Sequence, residues 1–170
     1  MSESESRMWS PWRSEHMKRF IDRHRPSDDL TGLFELIGKS DNDEEHLVVW
    51  RGKTAFVLMN LFPYNNGHLL IAPYRKVAHY VDLTEEERHE LADVVALCQK
   101  WLDETLSPEG FNVGMNVGKA SGAGIPGHLH VHVVPRWSGD TNFMPTVADV
   151  KVVPQSIQDT YARLRAAAGG

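Results

Sequence analysis

Apolar and polar positions along the chain fall into two regimes. Ser10-Pro11 has the form of a helix start, a capping side chain followed by proline at the first helical position. Trp12, Met17, Phe20 and Ile21 can then share one helical face up to about Arg25, where Pro26 interrupts. Leu33 to Ile37 is a short apolar segment that periodicity leaves unassigned, and Lys39 to Glu45 is a polar, acidic loop. From His46 the pattern shortens to strands. They are expected at His46 to Trp50, Thr54 to Asn60 and His68 to Ala72, with turn chemistry at Arg51-Gly52-Lys53 and from Leu61 to Gly67. Thr84-Glu85-Glu86-Glu87 is a capping box. The helix behind it places Leu91, Val94, Val95, Cys98, Trp101 and Leu102 on one face, with a stop expected near Gly110. Strands follow at Asn112 to Val117 and Leu129 to Val134, with a short extra one at Val150 to Val153. Ile157, Tyr161, Leu164 and Ala168 mark a C-terminal helix. One long helix between strands joined mostly by turns predicts an α+β fold: a mainly antiparallel five-stranded sheet with helices on one side.

Composition narrows the class. At 170 residues the chain is sized for one domain, expected over residues 8–170 behind a disordered tail at 1–7. With 41% hydrophobic residues a sizeable core can form, and a net charge of −5 argues against a nucleic-acid face. One cysteine excludes an internal disulfide and a Cys-x-x-Cys zinc site. No apolar run is long enough for a membrane span, and the polar opening MSESES lacks the apolar core of a signal peptide, so a cytoplasmic protein is expected.

Histidine changes the picture. There are nine, three of them in His128-Leu129-His130-Val131-His132-Val133-Val134. Chance placement at this composition yields such a triple about 0.02 times per chain. On a strand the three imidazoles would face one side, about 6–7 Å apart, and Leu129, Val131 and Val133 the other. A solvated edge strand, a metal site and acid–base or nucleophilic catalysis on an anionic substrate all compete to explain them. The preceding loop, Asn116 to Gly127, favours the third. It carries four glycines, Lys119 and Ser121, and glycine lets backbone N–H groups close on an anion. Gly122-x-Gly124-x-x-Gly127 spells a dinucleotide fingerprint, but a strand follows it where the fingerprint needs a helix.

The His-φ-His-φ-His-φ-φ pattern, φ being apolar, resembles the histidine triad (HIT) family of nucleotidyl hydrolases and transferases. The resemblance runs from about Leu33 to Asn142. Asn60 through Pro73 is similar to the family's second motif. Gly127-His128 through Trp137, with Gly139-Asp140 and Asn142-Phe143, resembles its bacterial diadenosine tetraphosphate phosphorylase and dinucleoside polyphosphate hydrolase branch. Trp9-Ser10-Pro11-Trp12-Arg13 is similar to the N-terminal segment of bacterial members.

That resemblance implies a HIT-like fold and roles for particular residues. His130 matches a nucleophile that attacks an α-phosphate. His128 and His132 match the supporting pair, and His68 a fourth histidine packed beside them. Asn60 matches a ribose-binding asparagine. Asn116, Ser121, Gly122 and Gly124 fall where phosphate and ribose contacts occur, and Leu58 and Phe34 fall near the base pocket. Trp137 has two candidate roles besides packing, stacking on a base or crossing a subunit interface. The implied reaction is phosphorolysis of diadenosine tetraphosphate to ADP and ATP. The alternatives are hydrolysis of diadenosine tri- or tetraphosphate or of nucleoside phosphoramidates, and a nucleotide-binding adaptor. No cofactor is required, with magnesium entering only as a substrate chelate. The zinc site of bacterial relatives is not expected, because Gly32-Leu33-Phe34-Glu35 stands where they carry Cys-x-x-Cys. The implied assembly is a homodimer, or alternatively a tetramer.

Overall fold

The computed structural model describes residues 32–125, 127–140 and 155–169. The expected tail, the helix from Ser10 to Arg25 and the strand Val150 to Val153 lie outside them. The described chain runs α1 (Leu33–Lys39), β1 (Val48–Arg51), β2 (Ala55–Met59), β3 (Leu69–Pro73), α2 (Glu85–Leu106), β4 (Gly110–Met115), β5 (Val131–Arg136) and α3 (Ile157–Ala167). Short 3₁₀ turns sit at Tyr80–Asp82 and Lys119–Ser121. The strands form one antiparallel sheet in the order β1-β2-β3-β5-β4. Strand pairing thus brings β5, late in the chain, against β3.

Alternation splits the sheet into two apolar faces. Ala55, Val57, Met59, Leu69, Ile71, Leu129, Val131 and Val133 meet Leu91, Val94, Cys98, Trp101 and Leu102 of α2 and Tyr161 and Leu164 of α3. Phe56, Leu58, Leu70 and Ala72 point the other way, onto Phe34 and Ile37 of α1. The unassigned segment is therefore a helix, and it lies on the face opposite α2 and α3. The expectation of helices on one side is corrected by these two short apolar contacts. Arg51 secures α1 from β1, donating to the carbonyls of Ile37, Gly38 and Ser40 and pairing with Asp43 at 2.8 Å.

The capping box at α2 forms as expected. Glu87 N–H donates to Thr84 Oγ1 at 3.2 Å, and Thr84 N–H donates to the Glu87 carboxylate at 2.8 Å. Arg75 closes on the same carboxylate, and together these donors hold Glu87 below the usual carboxylate range. The helix stops at Leu106, earlier than the glycine signal suggests. Ser107 takes the left-handed cap at φ 48°, Pro108 blocks continuation, and Gly110 opens β4 instead.

The loop from Leu61 to Gly67 is pinned from beneath. Gly67 has φ +73°, and a Cβ there would overlap Leu106 Cδ1 and lie 2.9 Å from Leu102 Cδ2. Gly67→Ala is expected to cost about 2–3 kcal/mol, from left-handed strain plus overpacking against α2. Urea unfolding reads that loss, and a midpoint unchanged from wild type would refute the packing argument.

Candidate active site

Register places the site on the α1 face. His132 pairs across the sheet with Leu70 on β3 and Gly114 on β4. A Cβ added to Gly114 would meet nothing within 4 Å, so the sheet is open beside His132. The imidazoles of His128 and His130 both contact the Phe34 ring, at 5.3 and 5.1 Å between centroids. The three histidines share a side as expected, but their spacing does not follow an ideal strand. β5 begins only at Val131, and the His130 and His132 rings approach to 4.8 Å. Within this stretch His130 Nδ1 turns back to bond the carbonyl of His128 at 3.0 Å.

Backbone groups fix which nitrogens carry protons. A carbonyl can only accept, so His130 Nδ1 carries the proton it donates to the His128 carbonyl. The Nε2 lone pair of His130 is then left open. By the same logic His128 Nε2–H donates to the Pro73 carbonyl at 2.9 Å. On the other flank an N–H can only donate, so Tyr64 N–H makes His68 Nδ1 an acceptor at 3.0 Å. Asn60 adds a second donor. Its Oδ1 accepts from Phe62 N–H at 2.9 Å, which turns its Nδ2 toward His68 Nδ1 at 3.2 Å. His68 Nε2–H therefore donates to His132 Nδ1, 3.0 Å away. His132, when neutral, must carry its proton on Nε2, a buried atom with no partner among the described residues.

The row thus presents a lone pair on His130 beside an N–H on His132. Burial pushes all three imidazoles down from the usual histidine range, so they are neutral near pH 7. His132 falls furthest, to about 4, through burial and then the neighbouring His130. A neutral nucleophilic nitrogen flanked by a fixed N–H donor suits attack on a tetrahedral phosphorus, whose oxygens need donors as the new bond forms.

The remaining candidates are placed unevenly. Asn60 joins the histidines through His68, and Phe34 and Leu58 form the apolar wall next to the row. Asn116, Ser121, Gly122 and Gly124 line the loop after β4, where the Ser121 hydroxyl donates to the Gly118 carbonyl at 2.7 Å. This loop joins the site through Ile125, which packs on the Phe34 cluster and accepts from His128 N–H at 3.3 Å. Trp137 lies past the end of β5, its indole N–H donating to the Ser107 carbonyl at 3.2 Å. No described contact connects it with the imidazoles.

The pattern of residues does not reveal three contributors. Tyr64 stacks on His132, with centroids 5.7 Å apart and planes 20° apart, and leans on His68 at 4.7 Å. Asn65, buried, donates to the Pro135 carbonyl at 3.0 Å and to Asp140 at 2.8 Å. Asp140 in turn holds Arg136. Through this link the loop that supplies Tyr64 N–H is tied to the end of β5. The available signals are a large aromatic inside the turn run Pro63-Tyr64-Asn65-Asn66-Gly67 and the Gly139-Asp140 pair past the histidine strand.

Among the described residues no group of three or more His, Cys, Asp or Glu is placed to hold a metal ion, and no helix is long and apolar enough to cross a membrane.

The HIT domain family model matches residues 42–139. AP-4-A phosphorylase of Mycobacterium tuberculosis is 40% identical over 156 residues, covering 91% of this chain and 80% of that protein. The asymmetrical bis(5′-nucleosyl)-tetraphosphatase of Schizosaccharomyces pombe is 34% identical over 55% of this chain and 50% of its own length. Among solved structures, a Zn-bound histidine triad family protein from Mycobacterium smegmatis shares the fold at TM-score 0.65 and 24% identity, over 81% of this chain and 92% of that one. The Caenorhabditis elegans NitFhit protein matches at TM-score 0.59 and 26% identity, over 73% of this chain and 27% of that one. With the family model spanning more than half of the chain and the histidine row set out as described, the chain is an enzyme of the HIT domain family.

Proposed function

We propose that the chain transfers an adenylyl group from diadenosine tetraphosphate to inorganic phosphate, through a covalent intermediate on His130. The observation that carries the reading is the hydrogen-bond pattern that leaves a lone pair on His130 Nε2 beside a proton on His132 Nε2. The substrate class is supported by the relatives named for diadenosine and bis-nucleosyl polyphosphates.

In the first step His130 Nε2 bonds to the α-phosphorus and the bond from that phosphorus to the bridging oxygen breaks, releasing ATP. The positive charge that grows on His130 is met at Nδ1–H by the His128 carbonyl, and His132 Nε2–H donates to a non-bridging oxygen. In the second step a phosphate oxygen attacks the same phosphorus, the nitrogen–phosphorus bond breaks, and ADP leaves. Phe34 and Leu58 wall the first base, and Asn60 holds the His68 relay while its position matches the ribose contact. Asn116, Ser121, Gly122 and Gly124 supply the phosphate loop. Magnesium enters as a chelate of the substrate, and the chain itself is proposed to need no zinc, since Gly32 to Glu35 offers no thiolate.

The proposed assembly is a homodimer, with a tetramer as the alternative, in a cytoplasmic setting. Its support is β4, an edge strand whose Val113 is 45% exposed on the face that α2 covers elsewhere. The acceptor is tested by product analysis from diadenosine tetraphosphate. ADP and ATP, formed only when phosphate is present, support phosphorolysis. AMP and ATP without dependence on phosphate would overturn it in favour of hydrolysis.

A further inference from the structure

Two aromatic rings flank the histidine row, and they differ in kind. Phe34 is buried against His128 and His130 and belongs to the packed wall under α1. Tyr64, on the His132 side, is 49% exposed. Its ring is not loose: it is seated on His132 and His68, and its loop is held by the buried Asn65 bonds to Pro135 and Asp140. Its hydroxyl makes no hydrogen bond among the described residues, so the ring is fixed by stacking and by its backbone. A large aromatic ring held in place with much of its surface open is a preorganised stacking surface, because little freedom remains to be lost on binding.

Position suggests what it receives. The groups follow in the order Phe34, His130, His132, Tyr64, with His130 and His132 4.8 Å apart and His132 and Tyr64 5.7 Å apart. If the base of the transferred nucleotide occupies the apolar Phe34 and Leu58 side, the departing polyphosphate has the His132 side to leave by. A dinucleoside polyphosphate carries a second base at the far end of that chain. We propose that Tyr64 is a stacking platform for this second nucleobase, the one on the leaving nucleotide, and so selects two-headed over one-headed substrates. This rests on the function proposed above.

The test compares diadenosine tetraphosphate with adenosine 5′-tetraphosphate, which offers the same α-phosphorus and triphosphate leaving group without the second nucleoside. Tyr64→Leu keeps an apolar cover over the His68–His132 pair but removes the flat face; Tyr64→Phe keeps both. The ratio of kcat/KM for the two substrates is expected to fall about five- to fiftyfold in Tyr64→Leu and to hold in Tyr64→Phe. An unchanged ratio in Tyr64→Leu, whatever its absolute activity, would overturn the platform and leave Tyr64 as a cover. Direct titration of both nucleotides into a His130→Asn background keeps the two proposals separable. If the wild-type enzyme turns over neither substrate, the proposed reaction fails. The platform still stands if the preferential binding of the dinucleotide is lost on Tyr64→Leu, and it falls if no such preference exists.

Discussion

His130→Asn is expected to lower turnover of diadenosine tetraphosphate by at least about 10⁴-fold while nucleotide affinity changes by only a few fold. The side-chain amide of asparagine can still donate toward the His128 carbonyl and fill much of the space beside Phe34, so the fold has little reason to yield. What it lacks is an unprotonated nitrogen with a lone pair directed at the substrate. His132 cannot substitute for it, because its Nδ1 is occupied by His68 Nε2–H and its Nε2 carries the proton. Steady-state kinetics paired with calorimetric titration measures both halves. Activity within about tenfold of wild type would remove His130 from the nucleophile's role.

Acid is expected to destabilise the protein through the same relay. The folded chain holds His132 at about 4, against 6.5 for an ordinary histidine. Below pH 6.5 the unfolded chain binds a proton that the folded one does not take up until pH approaches 4. The stability tied to this group is thus fully present above about 6.5 and is lost as pH falls through that window, by on the order of 3 kcal/mol. The groups facing His132 are His68, His130 and Tyr64, and none of them is an anion that would compensate its charge. Protonating Nδ1 also sets an N–H against His68 Nε2–H, so kcat should fall over the acid limb together with stability.

His132→Gln sharpens the point. A glutamine oxygen can accept from His68 and its amide can donate toward the substrate, reproducing the neutral tautomer without a titrating group. That variant should stay within about tenfold in activity and show a shallower loss of stability between pH 6.5 and 4. Urea midpoints across that range decide it, and a slope identical to wild type would show that His132 is not the group responsible.

Legibility of the chain followed the range of the interactions. The capping box, the apolar face from Leu91 to Leu102 and the strand within Thr54 to Asn60 are local, and each lies where the pattern placed it. The His-φ-His-φ-His pattern exposed the site because period-two alternation puts Leu129, Val131 and Val133 in the core and leaves the imidazoles on the other side. Leu33 to Ile37 stayed ambiguous because a seven-residue helix with two anchoring residues, Phe34 and Ile37, is too short to show a period. The protonated nitrogen of His130 is set by a bond to a carbonyl two residues earlier, which no residue pattern spells out. Tyr64 reaches His132, and Asn65 reaches Pro135 and Asp140, across 68 to 75 residues of sequence, which no local window contains.

The central claim is a covalent bond between His130 and an adenylyl group. It is tested most directly by mixing the enzyme with excess diadenosine tetraphosphate in the absence of phosphate, quenching in base, where a phosphorus–nitrogen bond survives, and mapping the modified peptide by mass spectrometry. The account predicts a mass increase of one adenylyl group on the peptide containing His130, absent in His130→Asn and lost when phosphate is added before the quench, with ADP appearing in its place. Efficient turnover with no adenylylated peptide at any time point, or the adduct on His128 or His132 instead, would contradict it.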